Sequence, residues 1–144
     1  MGADLSICWA MDWSSRDAPS AGEIEALALA AVEDLPKAFR DHARRVILQV
    51  EDFASDAMLR DLGFDDPFQL TGLYDGVPLT EKSIADQPRQ PDTVWLFRRA
   101  ILDEWVARGD VTLKDLVTHV MVHELAHHFG WSDADIASID EWWR

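Results

Sequence analysis

Thr112-Leu113-Lys114-Asp115-Leu116-Val117-Thr118-His119-Val120-Met121-Val122-His123-Glu124-Leu125-Ala126-His127-His128-Phe129-Gly130 is the stretch that decides how the rest of this sequence is read. Leu113, Leu116, Val117, Val120, Met121, Leu125 and Phe129 recur at helical spacing and define one apolar face. Thr112 opens the helix, and Gly130 stands where a C′ glycine would end it. About 18 residues at 1.5 Å rise each give a helix of roughly 27 Å.

The polar letters on this helix carry chemistry. Residues four apart differ in direction by about 40°, so His123 and His127 project from one face, one turn apart. Two imidazoles so placed can reach one ion at the Zn–N distance of about 2.0–2.1 Å. Glu124 follows His123 directly and is displaced from it, near enough to take a proton from water without binding the metal itself. A catalytic zinc usually takes three protein ligands and keeps one position for water. Gly130 permits φ > 0, so the chain can turn back beneath the ion. Asp133, six residues after His127, then occupies the third-ligand position of such patterns, and a carboxylate oxygen suits it. The chance of the five-residue match in a chain of this composition is roughly one in ten thousand. The plainer alternative is a pair of surface histidines with a capping aspartate.

Length and composition set the frame. A chain of 144 residues, 48% of them apolar and including seven Trp and six Phe, supplies one domain with a real core. The expected organisation is a loose lead-in over 1–19 and a single domain over 20–144. With 27 acidic against 13 basic residues the formal charge is −14. Such a surface repels phosphate backbones and anionic lipid, which argues against nucleic acid or a membrane as partner. Cys8 is the sole cysteine, so no intrachain disulfide forms, as expected of a reducing compartment. The N-terminal residues lack a cationic region before their apolar run, and no window approaches the roughly 20 apolar residues of a membrane span. A cytoplasmic protein is expected.

Along the chain, Ser20 and Glu23 have capping-box spacing ahead of Ile24, Leu27, Ala28, Ala31 and Val32. That helix should stop near Leu35, before Pro36. Val46–Val50 is β-branched and compact and reads as a buried strand. Asp56–Leu62 reads as a short helix ended by Gly63, and short strands are expected around Leu70–Tyr74 and Thr93–Phe97. Asp75-Gly76 before Val77-Pro78-Leu79 is a hairpin signal, with Pro78 confining that segment to an edge. A helix over Arg99–Arg108 ends at Gly109, and Ser132 with Asp135 would cap a last helix through Trp142.

Taken together with Gly72-Leu73-Tyr74-Asp75-Gly76-Val77-Pro78-Leu79 and the strand segment Pro91–Arg98, the motif resembles that of the zincin-like metallopeptidases, small bacterial proteins. The resemblance runs over about residues 24–136. It implies an α+β fold, a compact minimal zincin-like domain with a small mixed β-sheet packed on helices and a long metal-binding helix. It also implies bound Zn2+ and hydrolysis of a peptide or protein substrate. It places the hairpin that carries Tyr74 beside the metal, where the phenol could steady an oxyanion; a half-buried strand tyrosine is the alternative. The family pattern has an arginine near the position of Lys82. Larger metzincins carry a methionine turn after the ligands, whereas no Met follows Met121 here.

Several other residues could carry chemistry, each with a plainer role beside it. His119, on the same face one turn before His123, could line the cleft, but it is expected behind the ligands or in solvent. His128 points about 100° from His127 and is expected in packing or at the surface. Arg98 or Arg99 could bind a substrate carboxylate, Cys8 could bind the metal in a resting form, and Trp142-Trp143 could form a substrate shelf. The rival to the hydrolase reading is a metal-bearing interaction or regulatory module without general peptidase activity. Its support is that only eleven residues follow Asp133, little chain for a substrate-binding subdomain.

Overall fold

The computed structural model describes residues 17–76 and 92–131. In chain order these form helix α1 (Ala21–Glu33), α2 (Lys37–Ala43), strand β1 (Ile47–Glu51), α3 (Asp56–Leu62), a 3-10 turn (Pro67–Gln69), β2 (Gly72–Asp75), β3 (Thr93–Phe97), α4 (Arg98–Arg108) and α5 (Leu113–His128). The class is α+β, as expected. The sheet is small and mixed, in the order β1-β3-β2. β1 runs parallel to β3, from Ile47 opposite Thr93 to Glu51 opposite Phe97. β2 runs antiparallel to β3, from Gly72 opposite Leu96 to Asp75 opposite Thr93.

Alternation along β3 divides the core in two. Val94 and Leu96 face a cluster made with Ile24, Ala28 and Val32 of α1 and Val117, Val120, Met121 and Leu125 of α5. Phe97 turns to the other side, where Leu59, Leu70 and Ala100 are buried against Leu73 and Trp95. The same period of two puts Tyr74 on the α5 side and Leu73 on the opposite one. At about 25 cal/mol per Å2, each fully buried Leu, Ile, Val or Phe contributes roughly 1.5–3 kcal/mol toward offsetting chain entropy. Phe97, Ile24, Leu96 and Ile101, all 0% exposed, are the largest of these contributors.

Local chemistry fixes the helix ends. Ser20, Ser55 and Thr112 accept hydrogen bonds from the backbone N–H of Glu23, Met58 and Asp115, each three residues on. α5 closes in a Schellman motif. Gly130, at φ 81°, donates to the carbonyl of His127, and Trp131 N–H donates to Ala126 O at 2.9 Å.

Two expectations need correction. β1 reads as a buried strand, but none of its residues is buried: it lies at one end of the sheet of described strands, with Ile47 exposed and only Leu48 and Val50 leaning on the core. A β-branched run marks a strand and does not tell a central strand from an outer one. α2 was not foreseen. It has no apolar stripe, and a single buried residue, Ala43. Tertiary contacts hold it, with Phe39 against Phe129 and Trp131 at ring-centroid distances of 5.1 and 5.0 Å. The hairpin partner Val77–Leu79 and the last helix from Ser132 lie outside the described residues, as do Cys8, Lys82 and Trp142-Trp143. No helix among the described residues is long and apolar enough to cross a membrane.

Gly130→Ala is expected to lower unfolding free energy by about 1 kcal/mol, and Gly130→Asn by less, because asparagine tolerates φ > 0 better than alanine. Urea unfolding with an unchanged m-value checks this order.

Candidate metal centre

α5 presents His123 and His127 side by side. Their ring centroids are 5.2 Å apart and the rings cross at 73°; both residues are partly exposed. Two imidazoles sharing one tetrahedral ion at the usual Zn–N distance place their ring centres about 5 Å apart. The spacing of the two rings and the chemistry of an imidazole pair therefore suit zinc. Among the described residues no group of three His, Cys, Asp or Glu side chains converges as a complete ligand set. Asp133, the expected third ligand, lies outside the described residues.

Glu124 sits on the neighbouring edge of the helix and is only 8% exposed. Burial pushes its carboxyl up from an ordinary 4.5 to about 7. The burial has a local cause in β2. A Cβ built on Gly72 would lie 2.8 Å from Val120 Cγ1, 3.2 Å from Glu124 Cγ and 3.3 Å from the carbonyl oxygen of Trp95. Strand and helix touch here through a position where only glycine fits, and Glu124 is held under the strand.

Glu124 and His123 open into a cleft of about 240 Å3, whose walls also include Gln69, Thr71, Gly72, Glu104 and His119. His119 thus lines the cleft itself, its ring centroid 6.2 Å from that of His123. The opposite walls come from the 3-10 turn, the start of β2 and α4; the resemblance pointed to the β2 hairpin, but Gln69, Thr71 and Glu104 carried no functional signal in the sequence.

Further along β2, Tyr74 meets the last turn of α5. Its Oη donates to Asp92 Oδ2 at 3.1 Å and lies 3.0 Å from His128 Nδ1. His128 Nδ1 is itself 3.1 Å from the same Asp92 oxygen. Burial, with the Asp92 carboxylate beside it, pushes the Tyr74 phenol well above its ordinary range. His128, expected in packing or at the surface, is buried in this polar cluster at 4% exposure. Asp92 was not foreseen, since nothing in the local pattern after Pro91 distinguishes it. Arg98 binds the Pro19 carbonyl at 2.7 Å and Asp52 at 3.2 Å, and Arg99 lies over the Phe53 ring at 5.2 Å. Neither arginine is among the cleft residues.

The family model described as zincin-like metallopeptidase matches residues 43–143, and the chain belongs to that family. No curated protein matches it. The matched span takes in the whole sheet, both cleft walls and α5.

Two outcomes follow for the metal-free protein. Glu124 is protonated more readily folded than unfolded, so its contribution is fully present below about pH 4.5 and is lost as pH rises toward 7. Glu124→Gln lacks this dependence and should be more stable than the parent at pH 8 by up to about 2–3 kcal/mol, the gap closing near pH 4.5. Thermal or urea melts across that range test the sign. Gly72→Ala should cost about 1–3 kcal/mol by overpacking β2 against α5, with the loss visible in the same melts.

Proposed function

We propose that this protein is a zinc-dependent peptidase that hydrolyses peptide bonds, with His123, His127 and Asp133 as metal ligands and Glu124 as the general base. The observation that carries the reading is the pairing of the His123 and His127 rings at 5.2 Å, with a buried Glu124 that shares a cleft with His123. Family membership supports the reaction class. Asp133 enters from its place six residues after His127, just past the turn that Gly130 makes.

Zinc held there would supply Lewis-acid polarisation of the scissile carbonyl and acidification of a water molecule. Glu124 does the proton work. Its carboxylate takes a proton from the attacking water as oxygen adds to the carbonyl carbon, and returns it to the nitrogen of the leaving amine as the C–N bond breaks. The low-polarity surroundings that Gly72 and Val120 give this carboxylate favour a group that exchanges a proton near neutral pH. The substrate is an extended peptide segment lying in the cleft between α5 and the Gln69–Gly72 wall, with His119 and Glu104 as the polar groups nearest its side chains. The Tyr74 hydroxyl is engaged by Asp92 and His128, so the reading gives it no part in stabilising the oxyanion.

Elemental analysis of protein prepared without added metal should give about one equivalent of zinc, largely lost in His127→Ala. Glu124→Gln should retain the zinc and lose at least about 100-fold in turnover on a mixed peptide pool, the usual scale of general-base loss. Turnover that survives in Glu124→Gln would remove the assigned mechanism. Zinc binding with no cleavage of any peptide in the pool would favour the metal-bearing interaction module instead.

A further inference from the structure

We propose that Tyr74, Asp92 and His128 form a positioning device that sets the rotation and height of α5 against the sheet, and through them the presentation of His127 to the metal. The inference rests on the zinc reading above for its consequence, but on geometry alone for the device itself. The last turn of α5 carries His127 and His128 at successive positions, the first with its ring beside that of His123 and the second against Tyr74 of β2. Around them the helix is packed by Val120, Leu125 and Phe129. Apolar contacts of that kind are non-directional and tolerate a small rotation.

A small rotation matters at this point. An imidazole nitrogen stands about 6 Å from the helix axis, so a turn of about 10° moves it about 1 Å, beyond the tolerance of roughly 0.5 Å that a working site allows. Directional bonds supply what packing does not. Tyr74 Oη, Asp92 Oδ2 and His128 Nδ1 lie within 3.0–3.1 Å of one another. The side chains of His128 and Asp92 are 6% and 9% exposed, so water competes little for these bonds. With Tyr74 donating to Asp92, the arrangement is satisfied when His128 carries its proton on Nδ1, an assignment made from the network. Three separate elements meet in it: β2, the entry to β3, and α5.

The surrounding sequence makes room for the cluster. A Cβ on Gly76 would fall 2.5 Å from Asp92 Oδ1 and 2.6 Å from its Cγ, so glycine at 76 lets the Asp92 side chain fold back under Tyr74. Gly72 and Gly76 thus flank Tyr74 with two close approaches, the first to Glu124 and the second to Asp92. The segment Gly72–Gly76 reads as a template for α5 in which Tyr74 supplies the directional contact. Tyr74 and His128 are positioning residues in this account, since neither need touch substrate.

Tyr74→Phe, His128→Leu and His128→Asn provide the test, the last because its amide nitrogen replaces Nδ1 as a donor. Two readouts are needed: zinc affinity by competition with a chromophoric chelator, and amide hydrogen exchange over 123–131 in the zinc-free protein. Tyr74→Phe and His128→Leu should weaken zinc binding about three- to thirty-fold, the range of coupling energies carried by residues away from a ligand. They should also speed exchange in the last two turns of α5 while α1 and β3 keep their protection. His128→Asn should recover most of both losses. Unchanged affinity and exchange in Tyr74→Phe and His128→Leu would overturn the proposal. So would a loss of protection spread evenly over the whole chain and not recovered by asparagine, which is the mark of packing alone. A parent protein that binds no zinc would overturn the metal reading and the effect on His127, and exchange would still decide whether the cluster anchors the helix.

Discussion

The contact of β2 with α5 at Gly72 is the constraint on which the site depends. With no side chain at that position, the strand comes close enough for a built Cβ to overlap Val120 and crowd Glu124. This contact presses a carboxylate that no described residue neutralises into a half-dry position. It also sets the register between two elements of different period. Two residues along a strand advance about 6.6 Å and four along a helix about 6.0 Å. A strand and helix that meet at Gly72 and Glu124 therefore meet again at Tyr74 and His128, where the structure shows a hydrogen-bonded pair.

α5 serves several masters at once, and its composition reflects that. Leu116, Val117, Val120, Met121 and Leu125 are buried among α1, α4 and the sheet. His123 lines the cleft with His127 beside it, both partly exposed, while Glu124 and His128 are buried. A helix made only for stability would not bury a glutamate and a histidine. Burying them costs free energy unless partners satisfy them. His128 has its partners in Tyr74 and Asp92; for the carboxylate of Glu124 no described residue supplies one, and burial raises its pKa. Local destabilisation retained beside a potential metal site is the pattern expected where chemistry rather than packing chose the residue.

Most of the secondary structure was legible from local signals because those signals act locally. Capping by Ser20, Ser55 and Thr112, glycine stops at 63, 109 and 130, and the 3.6-residue period of α5 all work within a few residues of chain. α2 was not legible because its stability comes from the tilted and edge-on contacts of Phe39 with Phe129 and Trp131, about ninety residues away. The outer placement of β1 was hidden for a similar reason, since a strand's neighbours are decided by topology and not by its own letters.

For the site, the sequence by itself determined that His123 and His127 share a helix face and that Glu124 stands beside them, because helical geometry is fixed once the helix is. It also determined the turn at Gly130, since few residues other than glycine accept φ 81°. Only the tertiary structure decided that Gly72 buries Glu124, that His119 and Glu104 share a cleft with His123, and that Asp92 ties Tyr74 to His128. These are meetings of residues far apart in the chain. Which of many compatible side chains meet across such distances depends on the docking of whole elements, and that is settled by the collective burial of the core.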